Sequence, residues 1–218
     1  MKGAALKIMT ATAMLGMAVL LLPAVASTPQ AKPNPAVVVE ASDDMTKGSE
    51  TAPVTLIQYV SLTCSHCAAF NEEVMPQIEA KYVATGKVRY IQREYLTPPN
   101  DVAMAGILLA RCAGKDKYFE VVDTIMRSQS IMFFGGTTTN VRPVLLRIAK
   151  DVGLSPEQFD ACMVDLTAQT RVYTNADKYI LEHHVRSTPT FFINGVEFKR
   201  KTGDFAEFER AFAAAGVK

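Results

Sequence analysis

Two cysteines stand three positions apart in Ser61-Leu62-Thr63-Cys64-Ser65-His66-Cys67, near enough along the chain to close a small disulfide ring. A thiol does redox chemistry at neutral pH where its thiolate is stabilised. The first turn of a helix offers that stabilisation through unpaired backbone N–H groups and the positive end of the macrodipole. Cys64 follows a strand-like run and opens a helix-like one, so it falls at such a start. Cys67, one turn later, sits deeper under the helix. The spacing therefore predicts Cys64 as the attacking and leaving sulfur and Cys67 as its resolving partner. His66 between them favours the Cys64 thiolate as a cation or donor. A stabilised thiolate favours the reduced form and makes the disulfide oxidising, so the predicted direction is donation of disulfides to clients.

Two plainer readings compete. A Cys-x-x-Cys with a histidine can be half of a metal site, but a tetrahedral zinc needs two more ligands, and the other histidines, His183 and His184, read as a solvated helix end. A structural disulfide in the loop is the other reading, and the strand-to-helix context speaks for redox chemistry instead. The remaining cysteines are Cys112 and Cys162. Four cysteines permit three pairings. The local pair at 64 and 67 leaves Cys112 with Cys162, each in a helical segment among core-like neighbours, as a structural staple.

These residues need elements to position them. Val54-Thr-Leu-Ile-Gln-Tyr-Val60 is short, β-branched and aromatic, a buried strand leading into Cys64. Phe70, Val74, Ile78 and Tyr82 recur at helical spacing, with Pro76 expected to kink that helix. Val88–Tyr95 reads as a second strand, parallel to the first if the helix is the crossover. From Asn100 to about Val185 the pattern is helical, with Ser155-Pro156-Glu157-Gln158 a capping box after Gly153. Ile131-Met-Phe-Phe-Gly-Gly136 within it is either an apolar client-binding loop or a loop tucked into the core. Thr190–Ile193 is another strand, Asn194-Gly195 a hairpin turn into Val196–Lys199, and Asp204 with Glu207 caps a last helix bearing Phe205, Phe208 and Phe212.

The chain has 218 residues with 49% hydrophobic content, enough for an α/β domain with an inserted helical domain. Lys2 and Lys7 precede an uncharged apolar stretch from Ile8 to Val25 that ends in Pro23-Ala24-Val25-Ala26. This reads as a cleaved signal peptide over 1–26, with an uncleaved membrane anchor as the alternative. Three prolines between Thr28 and Pro35 give linker composition, which starts the folded domain near Val37, and the linker is placed over 27–47. The rest divides into 48–99, a helical insertion over 100–185, and 186–218. Removing Lys2 and Lys7 changes the formal charge from +1 to −1, which gives nucleic acid no reason to bind.

With Ser187-Thr188-Pro189-Thr190-Phe191-Phe192-Ile193-Asn194-Gly195, the Cys64–Cys67 motif resembles the bacterial DsbA family of thiol–disulfide oxidoreductases, from about Gly48 to the C-terminus. The resemblance implies a thioredoxin-like fold with an inserted helical domain. It implies a cis Thr188–Pro189 bond facing the cysteines, whose backbone pairs with a client strand, and no cofactor. It also implies a periplasmic location, reduced exported proteins as clients, and reoxidation by a quinone-linked DsbB-like membrane protein. Cys112 and Cys162 resemble the second pair of one branch of the family. Ser65 stands where the prototype has proline, a change that tunes redox potential, and Gln58 stands where many members carry a buried acid. Thr188 is shared with isomerase-like relatives, which keeps an isomerase or reductase in play beside a metal-handling module.

Overall fold

The computed structural model describes residues 37–217; the expected signal peptide and residues 27–36 of the expected linker lie outside them. A five-stranded sheet runs in the order β1-β3-β2-β4-β5. Its strands are β1 (Met45–Lys47), β2 (Val54–Val60), β3 (Val88–Glu94), β4 (Thr190–Ile193) and β5 (Val196–Phe198). β2 and β3 are parallel, in register from Val54 opposite Val88 to Val60 opposite Glu94, and the other pairs are antiparallel. A parallel pair needs a crossover. Here it consists of α1 (Ser65–Glu73), α2 (Met75–Ile78) and a π-helical turn over Glu79–Val83. Pro76 sits in the first turn of α2, where its missing N–H leaves no bond unmade, so the expected kink is a break between two helices.

Both faces of the sheet are covered, which explains the nearly continuous apolar run of β2. Val54 and Leu56 pack with Phe70 and Ile78 of the crossover and with Phe208 and Phe212 of α9 (Phe205–Ala214). Ile57 and Tyr59 face the other way, against Tyr95, Tyr179 and Phe192. Between β3 and β4 lies the helical insertion: α3 (Asn100–Cys112), α4 (Lys115–Arg127), α5 (Gln129–Met132), α6 (Val141–Asp151), α7 (Pro156–Met163) and α8 (Leu166–Leu181). Its core of Ile107, Leu109, Tyr118, Val121, Ile125, Leu145 and Phe159 extends to Leu62 and Cys67. The capping box forms as expected, the Gln158 N–H donating to Ser155 Oγ (3.2 Å) and the Ser155 N–H to Gln158 Oε1 (2.8 Å).

The end of the expected linker belongs to the fold instead. Met45–Lys47 pairs with β3, and Val38, Asp44 and Met45 are buried. Three residues are too few to show a period. What holds them is long-range: Arg93 of β3 pairs with Asp44 at 2.7 Å, each side chain 2% exposed, and also donates to the Val39 carbonyl and the Tyr59 hydroxyl. The Val38 N–H donates to the Gly195 carbonyl (3.1 Å). Gly195 has φ +78°, and a Cβ there would lie 2.7 Å from the Val38 carbonyl oxygen, so the turn and this close approach both require glycine.

Cys112 and Cys162 are joined as a disulfide with a Cα–Cα distance of 6.2 Å, tying the end of α3 to α7. Cys162 is buried, but Cys112, expected in a core-like setting, is exposed as the last residue of its helix. Closing a loop of 50 residues restricts the unfolded chain by about 4 kcal/mol. Cys112→Ser with Cys162→Ser is therefore expected to lower unfolding free energy by about 3–4 kcal/mol in urea titrations; a loss under about 1 kcal/mol would show that the strain-free entropy argument fails here.

At the start of α9, Asp204 accepts the Glu207 N–H (2.8 Å) as expected. The Glu207 carboxylate, however, accepts the N–H groups of Lys201 (2.6 Å), Thr202 (3.0 Å) and Gly203 (2.7 Å), not that of the cap residue. Burial pushes this carboxyl up, and the three backbone donors outweigh it, bringing the pKa to about 2. A carboxyl whose folded pKa lies below its unfolded value stabilises fully above about pH 4.5, and that stability fades as pH falls toward 2. Glu207→Gln should cost about 2 kcal/mol at pH 7, with the gap to wild type narrowing in denaturant titrations between pH 4.5 and 2.5. A gap constant with pH would contradict the carboxylate's role.

Candidate active site

The chain leaves β2 through Ser61-Leu62-Thr63, and each of these is anchored from a distant segment. The buried Ser61 Oγ accepts the Thr97 hydroxyl (2.8 Å), and the Thr63 hydroxyl donates to the Thr97 carbonyl (2.8 Å). Thr97 precedes a cis Pro98–Pro99 bond. From α5, Gln129 Nε2 donates to the carbonyls of Leu62 (2.9 Å) and Cys64 (3.3 Å). Leu62 packs on α3 at Gly106, where a Cβ would approach its Cδ1 to 2.9 Å.

Cys64 is the N-cap of α1, in extended conformation, its carbonyl accepting the N–H groups of Cys67 and Ala68 at 3.1 Å. That leaves the side chain facing the open end of the helix. The sulfur is half-buried and lies 3.4 Å from the Thr188 carbonyl. The Thr188–Pro189 bond is cis, and Pro189 is buried beside it. Thr188 Oγ1 is buried with no hydrogen bond of its own, which leaves it available to a sulfur anion. Hydrogen bonding from the Cys67 thiol, set against burial and aided by Thr188 and the N–H groups of Cys67 and His66, lowers the Cys64 pKa to about 5. Cys67 is fully buried, and burial together with the neighbouring Cys64 charge pushes its thiol far above the ordinary range.

The structure thus brings Cys64, Cys67, Thr188 and Pro189 together. His66 is exposed, and its contribution to the lowered Cys64 pKa comes through its backbone N–H, the smallest of those named. At Gln58, the Tyr90 hydroxyl donates to the side-chain Oε1 (2.6 Å), and beside it Gln92 Nε2 donates to the Tyr118 hydroxyl (3.0 Å). All four side chains are buried. Tyr90 and Gln92 also line a cleft of about 600 Å³ that opens between Lys47, Asn71, Glu79 and Phe119.

Two sequence expectations change. His183 is no solvated helix end: its Nδ1 meets the Tyr59 hydroxyl at 2.6 Å, its ring stacks on Tyr179, and burial with the Arg93 charge lowers its pKa to about 4. Its partners come from β2, β3 and α8, so no local pattern announces it. His184 is exposed at φ +56°. The apolar loop is neither fully tucked nor fully open, since Met132 is buried while Ile131 and Phe134 are exposed, Phe134 by 74%. Gln129 and the Ser61–Thr63–Thr97 cluster were not legible as site residues, because their partners lie at least 34 positions away or in unlike elements. Among the described residues no three His, Cys, Asp or Glu side chains gather as a metal site, and no helix is long and apolar enough to cross a membrane.

The chain is similar to proteins already known. A relative from Rickettsia bellii named for protein-disulfide oxidoreductase activity is 30% identical over 161 residues, which cover 71% of this chain and 58% of that one. The chain therefore spans about three fifths of the length of the curated relatives it matches. The crystal structure of alpha-DsbA1 from Wolbachia pipientis superposes with a TM-score of 0.72 at 24% identity, over 82% of this chain and 93% of that one. A protein-disulfide isomerase from Novosphingobium aromaticivorans superposes with a TM-score of 0.65 at 21% identity, over 79% and 97%. Both show a shared fold, an α/β thioredoxin fold with a helical insertion. Since the thioredoxin family model matches residues 40–212, which hold both cysteines and the cis proline, the chain belongs to the thioredoxin family.

Proposed function

We propose that the chain is a thiol–disulfide oxidoreductase that donates disulfides to exported proteins through Cys64 and Cys67. The observation that carries this reading is the inequality of the two sulfurs: one half-buried with a pKa near 5, the other sealed and pushed up. In the oxidised pair a client thiolate attacks Cys64 Sγ, the Cys64–Cys67 bond breaks, and Cys67 takes up a proton. The client's second thiolate then attacks the client sulfur of the mixed disulfide. Cys64 leaves as the stabilised thiolate, and two electrons have passed from client to protein. The Thr188 carbonyl beside Cys64 supports a client strand laid along the cis-proline turn. The named relatives and the disulfide-oxidoreductase neighbours support the same chemistry. The basic and apolar pattern of residues 1–26 supports export to the periplasm, and re-oxidation there calls for a quinone-linked DsbB-like membrane partner.

An isomerase or reductase is the second reading, favoured by Thr188 before the cis proline and by the isomerase among the structural neighbours. The redox potential of the pair separates the two. An oxidase needs a potential well above the roughly −270 mV of thioredoxin, and a value at or below that mark would move the assignment to the reductase. Cys64→Ala should slow oxidation of a reduced peptide by at least about a hundredfold; wild-type rates would remove Cys64 from the reaction.

The lowered pKa gives a pH test. The Cys64 thiol in the reduced protein should react with iodoacetamide in a profile with its midpoint near pH 5, whereas an unperturbed thiol has its midpoint near about 8.5. By the same linkage the reduced protein gains stability over the oxidised one between pH 5 and 9, and loses it as pH falls through 5. A midpoint above about 7.5 would refute the stabilised thiolate.

A further inference from the structure

Beyond Thr188 and Pro189 the sheet carries a second feature that faces a client. A cavity of about 210 Å³ opens beside the cis proline; Pro189, Thr190, Glu197, Lys199 and Arg200 are among the residues that line it. The Arg200 guanidinium lies 4.9 Å from the centroid of the Phe191 ring and packs against Gly203, where a Cβ would meet its Nη1 at 2.7 Å. Its loop is rigid, because the Glu207 carboxylate holds the N–H groups of the next three residues. Of the nearby acids, Glu207 accepts that backbone and acts on Arg200 only through its charge, and Glu197, on the cavity wall, lies 3.8 Å from Lys199. Among the described residues no carboxylate forms an ion pair with Arg200. Burial disfavours the charge on this guanidinium, and charge on Cys67, Glu207 or Cys64 favours it, which places Arg200 within electrostatic range of the reacting sulfurs.

A half-buried guanidinium with an aromatic face on one side and no ion pair is partly desolvated, and the group it fits is a carboxylate taken in bidentate fashion. We propose that Arg200 is a recognition site for a client carboxylate, the side chain of an aspartate or glutamate next to or two positions from the client cysteine. This rests on thiol–disulfide exchange at Cys64. A client strand running along Thr188 presents alternate side chains to one face, and the cavity beside Pro189 is where such a side chain would enter. The rival role for Arg200 is electrostatic tuning of the Cys64 thiolate, which would act on every client equally.

The test uses the full chain, oxidised, against reduced peptides that carry Glu or Gln at each of the two positions on either side of a single cysteine. The quantity read is the Glu-to-Gln ratio of second-order rate constants within one protein, so general effects on Cys64 cancel. Wild type should favour Glu about five- to tenfold at one position. Arg200→Met should bring that ratio to about one, and Arg200→Lys should keep part of it. A wild-type ratio near one at every position, or a preference that survives Arg200→Met, overturns the proposal. If the Met variant does not fold, the wild-type ratio itself should decline toward one between about 50 and 500 mM salt, and a ratio indifferent to salt overturns the proposal as well. No reaction with any peptide would sink the exchange reading itself, an outcome distinct from exchange without charge preference.

Discussion

One helical turn separates Cys64 from Cys67, and the environments at its two ends are opposed. The first sulfur meets the open N–H end of α1 and the Thr188 loop; the second is sealed against the core of the helical insertion. Two thiols in the same solvent would share a disulfide with no preferred attacker. Placed this way, one is ionised at neutral pH and the other is not. Any change that tilted α1 or withdrew the Thr188 loop would equalise them. Much of the remaining structure serves to prevent that.

The restraint comes from several directions, and little of it from α1 itself. Gln129 of the insertion grips the carbonyls on either side of Thr63, and Thr97 grips Ser61 and Thr63 from the end of β3. Beneath the Thr188 loop, Arg93, Asp44, Tyr59 and His183 form one connected polar group between β3, β2 and the end of α8. Buried ion pairs add little net stability relative to apolar packing. Their geometry is specific, however, and here it fixes β1 and the start of the Thr188 loop to the same arginine. The insertion and the first strand, far from the sulfurs in sequence, therefore determine how well the sulfurs are held.

Features set by local chemistry were legible in the sequence. The capping box at Ser155, the Asn194–Gly195 turn, the break at Pro76 and the parallel strands around the Cys-x-x-Cys helix all follow from residue type at fixed spacing. Features set by meetings across the chain were not. β1 is three residues long and lies beside Asp44, which pairs with Arg93 49 positions away; composition ends the linker near Val37, but no hydrophobic period marks a strand there. His183 reads in the sequence as part of a solvated helix end; only the fold brings Tyr59 to its ring, while Leu181, Glu182 and His184 around it are exposed. Glu207 gave the right signal for a cap with the wrong partner. A carboxylate three residues into a helix can reach back to the cap residue or to the loop before it, and the preceding Lys201-Thr202-Gly203 turn decides between them.

Gln58 is where sequence and structure speak most directly to each other. An acid at this position would titrate beside Cys67 and trade protons with it. Gln58 cannot, and its carbonyl instead accepts the Tyr90 hydroxyl, whose own ionisation is suppressed by burial and by the Cys67 charge. The four side chains of this buried cluster, Gln58, Tyr90, Gln92 and Tyr118, therefore include no carboxylate, and burial holds both tyrosines in the phenol form. Burial and the neighbouring Cys64 are the largest influences that favour the protonated form of Cys67 as it leaves. The asymmetry that begins at the helix start is thus completed by the absence of a carboxylate on the strand below.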